Sequence, residues 1–392
     1  MGTTAEKRQL QSLGILSRAG RAGLRKRALG AALILAMTGC GEWDEEGADA
    51  QRCAQRAPRL QARLEALAQE MDLPGVTASL RLRNCLWHGA AGEALVEPDT
   101  EMTAENRLRV GSITKTFVAT VALQLQAEGR LSLDATLAQY LPGFPNAEVI
   151  TVRQLLNHTS GVANYTTHPA FRAETNSHLG RTWTFDELIA LGAAESPALP
   201  PGTGWNYANT NYLLVGFIIE RVTGTSLAEQ LRARIIEPLG LRSTGLDGDE
   251  VLSPVTVHGY ERTTQASPWS DVTGVLHPSA AGAAGALVSS ADDISLFYQS
   301  LFERPLLAAE QRAEMMEWIQ TREPKVPEYG LALMRRTTPE GPGHGHSGSF
   351  PGYSADAAYF PDQKAALAIL VNTESSNLST MTQQLLEVLT AP

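Results

Sequence analysis

Three short strings of this 392-residue sequence hold side chains that could do chemistry together. The first is "GSITK", which sets Ser112 three residues before Lys115. At the start of a helix that spacing puts both side chains on one face. A serine hydroxyl is a poor nucleophile until a base takes its proton. A lysine kept out of water can be neutral and serve as that base. The plainer alternative is a serine that caps the helix and a lysine in solvent. The chain's use of lysine speaks against it: from residue 40 onward there are 3 lysines and 22 arginines. Arginine keeps its proton in a protein, whereas lysine can lose it.

The second string is "WNYANTNY", where Tyr207-Ala208-Asn209 is the only Y-x-N among nine tyrosines. A phenol relays protons if a neighbouring cation lowers its pKa, and the asparagine offers an amide to a substrate or to the lysine. The third is "GHGHSGSFPGY", which contains His346-Ser347-Gly348. A glycine there lets a substrate lie along a strand edge, with the Ser349 N–H able to bind an oxyanion. The other H-x-G, His178-Leu179-Gly180, falls in a stretch without strand signals. Gly343, Gly345 and Gly348 also fit the G-x-G-x-x-G of a dinucleotide turn, but that turn must open a helix. Here Pro351 and Gly352 follow, then a strand-like run. No cofactor is implied, and no metal either: the eight histidines are scattered, with no H-E-x-x-H or C-x-x-C. His158 in "NHTSG" is expected to be structural.

These strings need elements to hold them. "PRLQARLEALAQEM" has helical spacing, with Pro58 suited to a first turn. "GVTASLRLR" and "CLWHGAAGEALV" look like strands. "SITKTFVATVALQLQAEGRL" is a helix apolar on almost every side, so it should be buried, with Gly129 placed to stop it. "TVRQLLNHTSG", "TFDELIALGAA", "NYLLVGFIIERVTG" and "SLAEQLRARIIEPLG" continue the helical pattern to about residue 245. "SADDISLFYQSLF" and "AAEQRAEMMEWIQ" are also helical. "YGLALMRR", "SADAAYF" and "AALAILVN" read as strands, and "LSTMTQQLLEVL" as a closing helix. The expected fold is α+β: an antiparallel sheet from both ends of the domain, flanked by helices, with a helical lobe inserted. The boundaries are a domain over 57–392, with a sheet lobe from about 57–111 and 280–392 and a helical lobe over about 112–279.

S-x-x-K, Y-x-N and H-x-G in that order resemble the motif series of the penicillin-recognising serine hydrolases. The likeness is to the branch of class C β-lactamases, serine D-Ala-D-Ala carboxypeptidases and related esterases. It covers about residues 57–390 and includes "RVGSITKTFVA", "EGRLSLDATLAQYLPG", "ITVRQLLNHTSG", "PGTGWNYANTNYLLVG" and "GHSGSFPGY". Within the branch it looks most like the secreted actinobacterial carboxypeptidases. The resemblance implies a β-lactamase/transpeptidase-like fold and a serine hydrolase working through an acyl-enzyme on D-amino-acid peptides, β-lactams or esters. It implies Ser112 as nucleophile and Lys115 as its base or proton relay. Tyr207 would protonate the leaving group and later activate water. Asn209 would hold the substrate amide and Lys115. His346 would give electrostatic support, Ser347 and Gly348 would complete the substrate-facing strand, and the N–H groups of Ser112 and Ser349 would form the oxyanion hole. Two departures bear on substrate. Met334 stands where the carboxypeptidase carries a carboxylate-binding arginine; Arg336, on the same strand face, is the candidate replacement, about 6–7 Å farther along. An aromatic of the relatives' pocket is replaced near Ala280. An esterase with little peptidase activity is one alternative; a non-catalytic receptor for wall peptides or penicillin is another.

The first 39 residues read as an address. A basic flank precedes a short apolar run, Ala28 to Thr38, too short to span a bilayer and suited to a signal peptide. Met37-Thr38-Gly39-Cys40 resembles a lipobox, which implies lipidation at Cys40 and attachment to the bacterial cell envelope, the outer membrane if the host is Gram-negative. Residues 40–56, opening with the acidic "GEWDEEGADAQ", are expected to be a disordered tether. In an oxidising compartment Cys53 and Cys85 can bridge, a link worth about 3–4 kcal/mol for such a loop; the alternative is two thiols. Beyond residue 39 the chain holds 25 basic and 41 acidic side chains, a poor match for nucleic acid or anionic lipid. The expected partner is a small-molecule or peptide substrate, with membrane contact only through the lipid, and a monomer is favoured.

Overall fold

In the computed structural model, residues 42–82, 85–247, 257–375 and 377–391 are described. A nine-stranded antiparallel sheet organises them. Strands β1 (Gly75–Leu82), β2 (Cys85–Leu95) and β3 (Thr100–Glu101) precede the helical region. Strands β4 (Ile319–Glu323), β5 (Val326–Tyr329), β6 (Met334–Thr338), β7 (Gly341–Phe350), β8 (Tyr353–Phe360) and β9 (Ala365–Val371) follow it. The spatial order is β3-β2-β1-β9-β8-β7-β6-β5-β4. One junction therefore joins the two ends of the domain, with Val76 opposite Val371 and Leu82 opposite Ala365.

The sheet is covered on both faces, which is why "AALAILV" is apolar throughout rather than alternating. On one face, helices α1 (Glu42–Glu70) and α5 (Leu378–Thr390) bury Leu60, Leu64, Met381 and Leu385 against Val76, Leu80, Phe360 and Ile369. The other face takes α4 (Ala291–Glu303), behind which lie α2 (Thr114–Ala127) and α3 (Asn209–Thr223). Phe297 of α4 stacks on Phe117 of α2 at 3.7 Å between ring centres. Helix α2 is buried around its circumference, as a sequence apolar on almost every side requires. Gly129, at φ 68°, follows its end in the left-handed region.

The structure corrects the sequence reading in three places. Residues 42–56 are helical, not a disordered tether: α1 is continuous from Glu42 through Pro58 to Glu70. Alanine, glutamate, glutamine and arginine favour helix. "YGLALMRR" is not one strand but the end of β5, a tight connection and the start of β6. The Gly330 N–H donates to Leu333 O across that connection, and Ala332 has φ 60°. The "SLAEQLRARIIEPLG" helix is interrupted by a π-helical stretch, Arg232–Ile236. Cys40 and the first 39 residues lie outside the described residues, as does the side chain of Cys53. Cys85 is engaged in a disulfide.

Candidate active site

Ser112 sits in a single 3-10 turn, Gly111–Ile113, that leads directly into α2. Its side chain does not cap the helix; neither turn nor helix has a side-chain cap. Gly111 takes φ 51°, a conformation that favours glycine. The Thr114 hydroxyl donates back to Gly111 O at 2.7 Å and accepts from Leu287 N at 3.1 Å, which ties the turn to the short strand Leu287–Ser289.

One helical turn on, Lys115 is fully buried. Its Nζ lies 2.9 Å from Ser112 Oγ, 2.8 Å from Asn209 Oδ1 and 2.6 Å from Ala284 O. Burial holds its pKa well below the ordinary lysine value. The partners suit a neutral amine. Two of them are acceptors only, so they take the two N–H groups; the third, the serine hydroxyl, is left facing the lone pair. Asn209 opens α3, and its N–H donates to Asn164 Oδ1 at 3.1 Å.

Tyr207 stands over the same lysine, with Nζ 4.9 Å from its ring centre. The expectation that a cation lowers the phenol's pKa is not met. Desolvation raises it, only partly offset by the approach of the Ser112 hydroxyl, and burial favours the uncharged form of the lysine beside it. The phenol is therefore a proton donor in the free enzyme.

β7 closes the site from the other side. A Cβ on Gly348 would stand 1.9 Å from Val110 O and 2.9 Å from Ser112 N; one on Gly111 would stand 2.6 Å from Ser349 N. The strand backbone is pressed onto the nucleophile turn, and the amides of Ser112 and Ser349 share one neighbourhood. "GHGHSGSF" is strand throughout, with no helix after it, so the dinucleotide reading is excluded. Gly343 and Gly345 are packing residues instead, facing the Phe360 ring and the Ala357 backbone.

His346 is brought into the cluster, with its ring centre 6.3 Å from that of Tyr207, but not as a charge. Burial, then the proximity of Lys115, pushes its pKa down to about 3. Its Nδ1–H donates to Ser347 O at 2.5 Å and its Nε2 accepts from Tyr329 Oη at 3.1 Å. The imidazole braces Tyr329 and supplies no positive potential.

Two expected residues point elsewhere. Register pairs His346 with Ala357 and Ser347 with Asp356, so the side chains of His346 and Asp356 lie on opposite faces of the sheet. Arg336 belongs with Asp356, 2.6 Å from its carboxylate, which also accepts from Thr382 of α5 at 2.6 Å. Ser347 directs its hydroxyl at Met334 Sδ, 3.7 Å away. Arg336 is thus neutralised under α5 and is not presented to a substrate beside His346. No motif points to Ala284, which contributes only a carbonyl, or to Asn164 and Tyr329.

A family profile described as Beta-lactamase matches residues 60–390. Penicillin-binding protein 4 of Amycolatopsis lactamdurans is 28% identical over 80% of this chain and 84% of its own. Esterase EstB of Burkholderia gladioli is 27% identical over 82% and 91%. Among solved structures, a D-stereospecific amidohydrolase from a Streptomyces species superposes with a TM-score of 0.73 at 38% identity, covering 85% of this chain and 98% of that one. The D-amino acid amidase of Ochrobactrum anthropi SV3 gives 0.78 at 26% identity, with the same coverage. With that likeness over nearly the whole described chain, and with a serine, a buried lysine and a tyrosine gathered at one point, the chain belongs to the beta-lactamase family and is a serine hydrolase acting through an acyl-enzyme.

Proposed function

We propose that Ser112 is acylated by neutral D-amino-acid amides and esters, and that peptides ending in a free carboxylate are poor substrates. The observation that carries this reading is the Arg336–Asp356 pair: the candidate carboxylate-binding cation is already neutralised, on the far face of the sheet. Met334 holds the position where a binding arginine was expected, and His346 is uncharged. The names of the amidohydrolase, amidase and esterase relatives agree with this reading.

In the proposed reaction the Ser112 hydroxyl gives its proton to the free amine of Lys115 as its oxygen attacks the carbonyl carbon. The backbone N–H groups of Ser112 and Ser349 take the oxyanion. The C–N or C–O bond then breaks, with the leaving group protonated by Tyr207, which recovers a proton from the Lys115 ammonium. Water enters along the reverse proton path and releases the acid. Asn209 holds Lys115 and offers its remaining amide hydrogens to the substrate.

Fluorescent penicillin should label the wild type and fail to label Ser112→Ala. Hydrolysis of D-phenylalanine amide should exceed that of a peptide ending in D-Ala-D-Ala. Efficient trimming of that peptide by the wild type would overturn the substrate assignment. A wild type that takes no label and turns over no amide would leave a non-catalytic receptor.

The proposal extends to location: export, with lipid on Cys40. Among the described residues no helix is long and apolar enough to cross a membrane. Labelled palmitate should enter the wild type and not Cys40→Ala, and Cys40→Ala should leave the membrane fraction; its retention there would count against the anchor.

A further inference from the structure

His158 lies at the end of the short helix Val152–Leu156, in "NHTSG", and has φ 61°. For a residue with a Cβ that conformation is costly and persists only where the surroundings enforce it. What enforces it is the chain around Tyr207. The carbonyl of His158 accepts from Asn206 N at 2.9 Å, the residue before Tyr207. Its Nδ1 accepts from Ala208 N at 3.3 Å, the residue after. Its ring lies against the phenol ring itself, 4.2 Å between centres and tilted by 35°. One fully buried residue thus grips the tyrosine on both backbone flanks, by its carbonyl on one side and its ring nitrogen on the other, and supports its ring.

The grip works in only one protonation state. Nδ1 accepts a second hydrogen bond, from Asn211 Nδ2 at 2.9 Å, and Asn211 is fixed in turn by the Ser160 hydroxyl, which donates to its Oδ1 at 2.6 Å. Two donors converge on Nδ1, so the proton of the neutral ring resides on Nε2, which has no hydrogen-bond partner among the described residues. A proton on Nδ1 would face both donors.

We propose that His158 is the positioning residue for Tyr207: it fixes where the phenolic oxygen sits relative to Ser112 and Lys115, and it touches neither substrate nor reacting atoms. The proposal rests on the proton-relay reading of Tyr207 given above. A residue that acts only through another shows it by coupling: its removal has no effect once its partner has gone.

The test is a double-mutant cycle on the full chain, reading kcat and KM for p-nitrophenyl acetate and the acylation rate with fluorescent penicillin. His158→Phe keeps a ring and deletes the acceptor; it should lower kcat by roughly 10- to 100-fold with KM little changed, the usual cost of a misplaced catalytic group. In the Tyr207→Phe background the same change should lower kcat by less than about twofold. His158→Asn, which can return an acceptor to the Ala208 N–H, should recover part of the loss. It also carries the cycle in place of His158→Phe if the latter does not fold. Equal losses in both backgrounds, in proteins with unchanged melting temperature, would overturn the positioning role. A Tyr207→Phe enzyme as fast as wild type would instead remove Tyr207 from the chemistry, a separate failure.

Discussion

Lys115 has three neighbours within hydrogen-bond reach and, when neutral, two protons to give them. That mismatch is the chemical content of the site, because the hydroxyl left over belongs to Ser112. Lys115→Arg keeps the charge but cannot release a proton. Activity should fall by roughly 10²–10⁴-fold, the usual worth of a general base, while circular dichroism stays unchanged; near-normal acylation would shift the base role to another group. The same burial sets the pH dependence. The free amine is the active form, so acylation rises with pH as Lys115 passes through its lowered pKa. Stability has the same sign: from that lowered value up to the ordinary 10.5, the unfolded chain binds a proton that the native chain does not. Unfolding free energy then rises by about 1.4 kcal/mol per pH unit across the window. Urea melts of the wild type and Lys115→Met should show the difference; parallel curves would mean that the amine is charged in the native state. At this scale the sequence was informative about Ser112, Lys115, Tyr207 and Asn209, whose order and spacing survive without a structure. It was uninformative about charge. Whether Arg336 is free and His346 protonated depends on burial and on partners such as Tyr329 and Asp356, 17 and 20 residues away in the chain.

Among the elements, β7 is the strand whose front meets the site and whose back carries an ion pair. Its front presents Gly348 and His346 to the nucleophile turn. Its back lies between Arg336 on β6 and Asp356 on β8, whose ion pair crosses it. The two side chains are 15% and 3% exposed, so removing the carboxylate strands a buried guanidinium. Asp356→Ala should cost about 3–5 kcal/mol in a urea or thermal melt, whereas Arg336→Met with Asp356→Leu should recover most of it. The folded fraction of Asp356→Ala should still take the penicillin label, since the pair is not presented to the site; a folded protein that takes none would place the pair in the binding machinery. Most strands were legible because apolar runs end at glycine, proline or a polar turn. The break between β5 and β6 was not, because its four residues "GLAL" sit inside an apolar run and their polar groups are satisfied by Met315, Leu156 and the connection itself. The start of α1 was hidden for the opposite reason: an acidic composition that would stay unfolded alone is helical ahead of a strongly amphipathic segment.

For the whole molecule, the β1–β9 junction fixes an order of events. The two strands are roughly 290 positions apart, a separation of the kind that makes folding slow. As the chain is synthesised, β1 to β3 are complete long before their central neighbour exists. Until β9 appears, β1 and β8 each expose an open edge, and such edges recruit other chains. A protein ending at residue 364 should therefore be made in full, fail to take the penicillin label and precipitate. Its missing piece is a single strand and one amphipathic helix, a unit small enough to supply from outside. Refolding the truncated chain with a peptide spanning residues 365–392 should return the label through strand addition at the open gap. The same truncated chain labelling well without the peptide would show that the seam is dispensable. Recovery would make the last 28 residues a removable key: an enzyme that stays silent in two pieces and is switched on when they meet.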